Sequence, residues 1–162
     1  MIKLGMDFSY GNLCIAVDLW SRKENRFRTA PAVFDTGANI THIDTDVLRR
    51  LGYDIDNADK SYVSTLGSRN MRINNTVIDD IKIGGLELGS VLVNFSDMSD
   101  INVSVILGLN IIKEFNVNLD FENKLILMNP TFDVNGKISI ERFNKSDSRF
   151  GMWTITSKYF KN

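Results

Sequence analysis

The 162-residue sequence contains one cysteine, Cys14, and one histidine, His42. A single cysteine permits no intrachain disulfide, which excludes a small secreted fold held together by bridges. One histidine and one cysteine also cannot supply a structural zinc site within one chain. Charge of either sign is not in excess, the formal net charge being −1. That leaves no electrostatic footprint for nucleic acid or for an anionic membrane surface. Long hydrophobic runs are absent too, and none approaches the roughly 20 apolar residues of a membrane span. The opening stretch, MIKLGMDFSYGNL, is interrupted by Gly5, Asp7 and Ser9, so it lacks the apolar centre of a secretory signal. The expectation is a soluble, cytoplasmic protein that contacts neither nucleic acid nor membrane.

Two candidate sites fail on their chemistry. Asp54, Asp56 and Asp59 crowd the run YDIDNADK. A calcium loop needs a glycine at its sixth position and a closing glutamate, and both are wrong here. The run reads as a solvated acidic loop, and no metal or cofactor is expected. Cys14 and His42 are the one pairing available for a thiol nucleophile. Cys14, however, sits inside an alternating apolar pattern, where cysteine behaves as a small inert hydrophobe. His42 reads as a loop or surface residue.

What is present is enough for a core. Hydrophobic residues make up 43% and aromatics 10% of the chain, which argues against disorder. At this length one domain, residues 1–162, buries roughly 70% of its unfolded surface.

Strand signals dominate. Leu13, Ile15, Val17 and Leu19 alternate with Cys14, Ala16 and Asp18, and residues 21–25 read as a turn. Phe27 to Phe34 reads as a second strand, with Pro31 marking an edge or bend. Gly84-Gly85 between Ile83 and Leu86 predicts a two-residue hairpin, because glycine adopts positive φ without a Cβ penalty. Further strands are expected over 91–95, 103–107, 115–121 and 125–128, with a turn at 122–124. Helix is scarce. DTDVLRRLG fits one short helix, capped by Asp44, Thr45 or Asp46 and ended by Gly52. LNIIKEF fits another short helical turn. Two brief helices among many strands predict an all-β domain. From Pro130 onward the chain is expected to add a terminal strand, in the aromatic and threonine-rich MWTITSKYF, which caps the core or contacts another subunit.

An internal echo links two segments. VFDTGA and VSVILGLNIIKEF share one plan, an apolar strand, a glycine loop and a short helical turn, with Gly37 and Gly108 in matching places. Two similar halves about a pseudo-dyad fit a small β-barrel, and two buried strands that happen to end in glycine fit as well.

The first of these segments carries the chemistry. Asp35 ends a hydrophobic strand and is followed by Thr36 and Gly37. Gly37 allows the loop to pass close to another backbone, and Thr36 brings a hydroxyl that can donate and accept. Phe34, Val33 and Ile40 surround the acid with apolar surface. A rigid, partly desolvated carboxylate suits general acid or base work, and an ordinary β-turn after a strand uses the same residue types.

VFDTGA, followed by ITHI and a short helix, resembles the active-site loop of retropepsin-like aspartic peptidases. VILGLNII resembles their second hallmark, and FNVNLDFENKLILM resembles the strands that close such domains. The resemblance spans about residues 27–128, leaving 1–26 as an N-terminal β extension and 130–162 as a C-terminal one. It implies a retropepsin-like closed β-barrel, one lobe of the acid protease fold. It implies that Asp35 is the catalytic aspartate, that Thr36 braces the loop across a dyad, and that Gly37 binds substrate backbone through its carbonyl. Ala38, which packs beneath the loop, and Asn39 would meet substrate, as would Leu66, Gly67 and Ser68 near a flap tip. Gly108 and Asn110 would support the loop from the second half. Asn39 stands where many family members have a second acid or a serine, whereas Asn110 fits the family pattern.

Aspartic peptidase chemistry needs two carboxylates that share one proton. The chain holds one Asp-Thr-Gly and no Asp-Ser-Gly. A two-fold axis would supply the second Asp35 from another copy. The expectation is a homodimeric aspartic endopeptidase that binds an extended peptide or protein substrate. A retropepsin-fold binding or dimerisation module whose dyad is unused is the alternative.

Overall fold

The computed structural model describes residues 1–8, 11–63, 71–101 and 103–131. Twelve strands and two short helices are found among them, in an all-β arrangement of two sheets. The larger sheet has nine strands. Its order is β5 (Asp59–Val63), β6 (Met71–Ile78), β9 (Val91–Ser96), β4 (His42–Asp44), β10 (Val105–Leu107), β3 (Arg26–Phe34), β2 (Cys14–Ser21), β7 (Ile81–Ile83) and β8 (Leu86–Glu87). Hydrogen bonds do not close this sheet into a ring, since its order ends at β5 and β8. The smaller sheet places β12 (Leu125–Pro130) between β1 (Ile2–Gly5) and β11 (Phe115–Asp120).

The alternating pattern at 13–19 becomes β2, which pairs with β3 along its whole length, from Cys14 opposite Val33 to Ser21 opposite Arg26. Pro31 sits where its missing N–H is harmless. Phe34 donates its N–H to Leu13 O, so by alternation the amide of residue 31 faces away from β2. On that side β10 begins to pair only at Ala32. Ile83 and Leu86 pair across Gly84 and Gly85, whose φ values of 54° and 87° make the tight hairpin of the primed type.

Helix α1 (Thr45–Leu51) starts where Asp44 Oδ1 accepts hydrogen bonds from the amides of Asp46 and Val47. Asp44 Oδ2 accepts the amide of Met98, so one carboxylate both caps the helix and fixes the next loop. The helix ends at Gly52, with a φ of 88°, and Arg49 and Arg50 in its last turn complement the helix dipole. Helix α2 (Leu109–Ile112) is a single turn after β10.

The core lies on one face of the large sheet. Ala32, Phe34, Ile43, Val93, Phe95, Val105 and Leu107 are buried there, with Leu48 from α1 and Ile111 from α2. Burying each large aliphatic side chain stabilises the fold by about 1.5–3 kcal/mol. Cys14, paired with Val33, is buried at 3% exposure on the other face of the sheet. Residues 132–162, including the terminal segment MWTITSKYF, lie outside the described residues.

Candidate active site

Asp35 follows the last residue of β3. Its N–H donates to Leu107 O at 3.0 Å, so the ladder between β3 and β10 extends one residue past the strand. Its carboxylate is held as well, with Oδ1 accepting the Gly37 N–H at 2.7 Å. The acid is half-buried, whereas Thr36 and Gly37 are exposed. A Cβ on residue 37 would come within 3.1 Å of Asp35 Oδ1, so glycine keeps the space over the carboxylate clear.

The loop is fastened from beneath by the start of α2. Leu109 donates its N–H to Ala38 O at 2.7 Å, and Asn110 donates its own to Asn39 O at 3.0 Å. Gly108 makes this approach possible. A Cβ there would meet Ile40 C at 2.6 Å, Thr41 N at 2.7 Å and Ala38 O at 2.9 Å, all backbone atoms that cannot swing aside. The Asn110 side chain completes the clasp. Its Oδ1 accepts from both the N–H and the hydroxyl of Thr41, each at 2.8 Å, and its Nδ2 donates to Leu92 O at 3.1 Å. The Gly108 N–H donates to Thr41 Oγ1 at 3.1 Å. Thr41 and Asn110 are 0% and 1% exposed, so this network is shielded from water and stiff.

Asp35, Thr36, Gly37, Ala38, Asn39, Gly108 and Asn110 thus converge on one loop and its support. Gly108 is not the counterpart of Gly37 in the strand register. Leu107 pairs with Phe34, which puts Gly108 level with Asp35. Thr41 is the member that sequence reasoning passed over, its one signal being a hydroxyl between the apolar residues of ITHI. Leu66, Gly67 and Ser68 lie outside the described residues. The strands on either side of them, β5 and β6, form an antiparallel pair from Asp59 opposite Asn75 to Val63 opposite Met71.

His42 departs from the expected surface or loop position. It lies on β4, half-buried, with Nε2 2.8 Å from Ser96 Oγ. Burial pushes its imidazole below the ordinary value, against the pull of the nearby Asp44 carboxylate. Burial pushes the Cys14 thiol upward, with the Asp7 carboxylate adding to the shift. That is the opposite of an activated nucleophile. The acidic run forms a local turn, in which Asp54 Oδ1 accepts the Asp56 amide at 3.1 Å and Oδ2 accepts Asn57 Nδ2 at 2.9 Å. No helix among the described residues is long and apolar enough to cross a membrane.

Solved structures share this architecture. A retropepsin-like aspartic protease from Rickettsia conorii superposes with a TM-score of 0.54 at 16% identity, over 78% of this chain and 88% of that one. The retroviral protease-like domain of Ddi1 from Leishmania major gives a TM-score of 0.45 at 16% identity, over 75% and 97% of the two chains. The first of these shows a common fold. A comparison with curated proteins gives no match. The family described as "gag-polyprotein putative aspartyl protease" matches residues 25–114, a stretch that runs from the β2–β3 turn through the Asp35 loop to the end of α2. With more than half of its length in that match, the chain belongs to the gag-polyprotein aspartyl protease family and has the retropepsin-like fold.

Proposed function

We propose that the protein is a homodimeric aspartic endopeptidase in which each protomer contributes one Asp35. The observation that carries this reading is the clasped loop: a carboxylate at a strand end, oriented by the Gly37 amide, on a support fixed by Thr41 and Asn110. A loop this constrained can present its acid in one geometry, which general acid–base catalysis requires.

The chain has a single Asp-Thr-Gly, so the second acid comes from a second copy across a two-fold axis. Thr36 and Gly37, both exposed, would face that copy. Two carboxylates about 3 Å apart cannot both ionise, and together they hold one proton. The ionised one removes a proton from water as the oxygen attacks the peptide carbon. The protonated one donates to the carbonyl oxygen, giving a neutral tetrahedral diol. Collapse of the diol breaks the C–N bond as a proton passes to the leaving amine, and the pair regains its single shared proton. Gly37 would hold substrate backbone through its carbonyl, and Ala38 and Asn39 would border the cleft. Leu66, Gly67 and Ser68 would close over an extended substrate bound by strand-like hydrogen bonds.

The test is digestion of a peptide library by wild type and Asp35→Asn at acidic and neutral pH, with and without a transition-state-mimicking aspartic peptidase inhibitor. Wild-type cleavage that the inhibitor blocks, and that falls at least about 1,000-fold in the nearly isosteric variant, supports the reading. Cleavage that survives in Asp35→Asn removes Asp35 from the mechanism.

A further inference from the structure

The face of the large sheet that bears Asp35 carries a polar row with no place in the mechanism above. Strand alternation sends Asp35 to the same face as Val33, two residues earlier. The register then runs level across five strands: Val33 pairs with Ile106, Ile106 with His42, His42 with Asn94, and Asn94 with Asn75. Paired residues share a face, so these five side chains form one line on the side of Asp35. Val33, Ile106, His42 and Asn75 are half-buried, whereas Ala32, Phe34, Leu107 and Ile43 on the opposite face are core. Neighbouring strands are about 4.8 Å apart and Asp35 lies about 7 Å along the strand from Val33, which places the His42–Asn94 pair about 12–16 Å from Asp35. That distance is within reach of a substrate side chain two or three residues from the scissile bond, since an extended peptide rises about 3.4 Å per residue.

Two features of the row point to a ligand. Asn94 is 5% exposed, and its Oδ1 is buried with no hydrogen-bond partner among the described residues. An orphaned buried acceptor is destabilising and uncommon. Beside it, His42 and Ser96 are joined at 2.8 Å, which leaves the second ring nitrogen of His42 for another partner.

We propose that His42, Asn94 and Ser96 form a side-chain subsite of the cleft, selective for a carboxamide side chain, glutamine or asparagine. This rests on the peptidase reading for the identity of the cleft. The chemistry chooses the class. A carboxamide N–H satisfies Asn94 Oδ1, and its carbonyl accepts from the His42 and Ser96 pair. A carboxylate brings no donor to Oδ1 and finds no cation in the row. A lysine brings a donor to Oδ1 but no acceptor for the His42 and Ser96 pair, and its charge is costly to desolvate beside a residue 5% exposed. An aliphatic side chain would seal Oδ1 away from water, unpaired.

The experiment scans a peptide series with Gln, Asn, Glu, Lys or Leu at each position flanking the cut. Cleavage is read as kcat/KM with wild type, and binding is read by fluorescence anisotropy with the Asp35→Asn protein. Gln or Asn is expected to exceed Leu by roughly 10- to 100-fold at one position in both readouts. In His42→Val and in Asn94→Leu the ratio is expected to collapse to within about twofold. Asn94→Leu is also expected to melt no lower than wild type, because it removes a buried polar atom that lacks a partner. Equal use of Leu and Gln at every position by wild type overturns the subsite, and so does a preference that both variants keep. The wild-type profile decides even if a variant fails to fold. Cleavage without a carboxamide preference defeats the subsite and spares the peptidase, while selective binding without cleavage does the reverse. A wild type that neither binds nor cleaves any peptide defeats both.

Discussion

Replacing Asn110 by alanine removes three hydrogen bonds at once. Thr41 loses the acceptor for its N–H and for its hydroxyl, and Leu92 O loses a donor. The Thr41 hydroxyl can rotate toward another acceptor. The Thr41 N–H cannot move, and at 0% exposure the residue gains no water. Each buried group left unsatisfied is destabilising by about 1–3 kcal/mol, so two of them cost about 2–4 kcal/mol after some relaxation. For a domain of this size that lowers Tm by about 5–15 °C. Thermal unfolding followed by circular dichroism reads the loss. If the alanine variant melts within about 2 °C of wild type, the clasp does not hold the loop as described, and the rigidity argument for Asp35 fails with it.

Gly108→Ala forces a methyl against backbone atoms at 2.6–2.9 Å. It is expected to destabilise by at least about 1–3 kcal/mol in urea unfolding and to lower activity further than stability alone accounts for. Gly84→Ala places a Cβ 2.2 Å from Ile2 Cγ2 at a φ of 54°, and should loosen β1 from the β7–β8 hairpin, read as faster amide exchange at residues 2–5. The Hε1 resonance of His42 should titrate with a midpoint below the ordinary imidazole value. Because folding depresses that pKa, the contribution of His42 to stability is complete above the unfolded value of about 6.5 and is lost as pH falls through the folded value. A midpoint above the ordinary value would mean that Asp44 outweighs burial. Cys14 should react with a thiol reagent only as fast as the protein opens, and rapid labelling of the native state would contradict its burial.

Much of this was legible in the residues because the physical signals are local. Alternation at 13–19 marks β2, paired glycines at 84–85 dictate a turn with two positive φ angles, and Asp44 with Gly52 brackets a seven-residue helix. Asp35 stood out because a carboxylate, a hydroxyl and a glycine follow an apolar strand without a break. Other features depend on partners distant in sequence. Strand β4 has three residues, and it exists because β10 and β9 pair with it from either side. No propensity in His42-Ile43-Asp44 announces that, so His42 reads as a loop residue until the sheet is assembled. Strands β5 and β6 carry Asp59, Lys60, Asn74 and Asn75, a composition that favours solvent over sheet. Thr41 looks unremarkable in sequence, because its role depends on Asn110, 69 residues away.

The central claim is that each active site needs an Asp35 from two copies of the chain. The direct measurement mixes wild-type and Asp35→Asn protein in varied ratio, lets the subunits exchange fully, and records the rate of peptide hydrolysis at constant total protein. Activity should follow the square of the wild-type fraction, falling to about a quarter in an equal mixture, because mixed dimers hold one acid. Activity that falls in direct proportion to the wild-type fraction would mean that one chain suffices, and would contradict the shared pair.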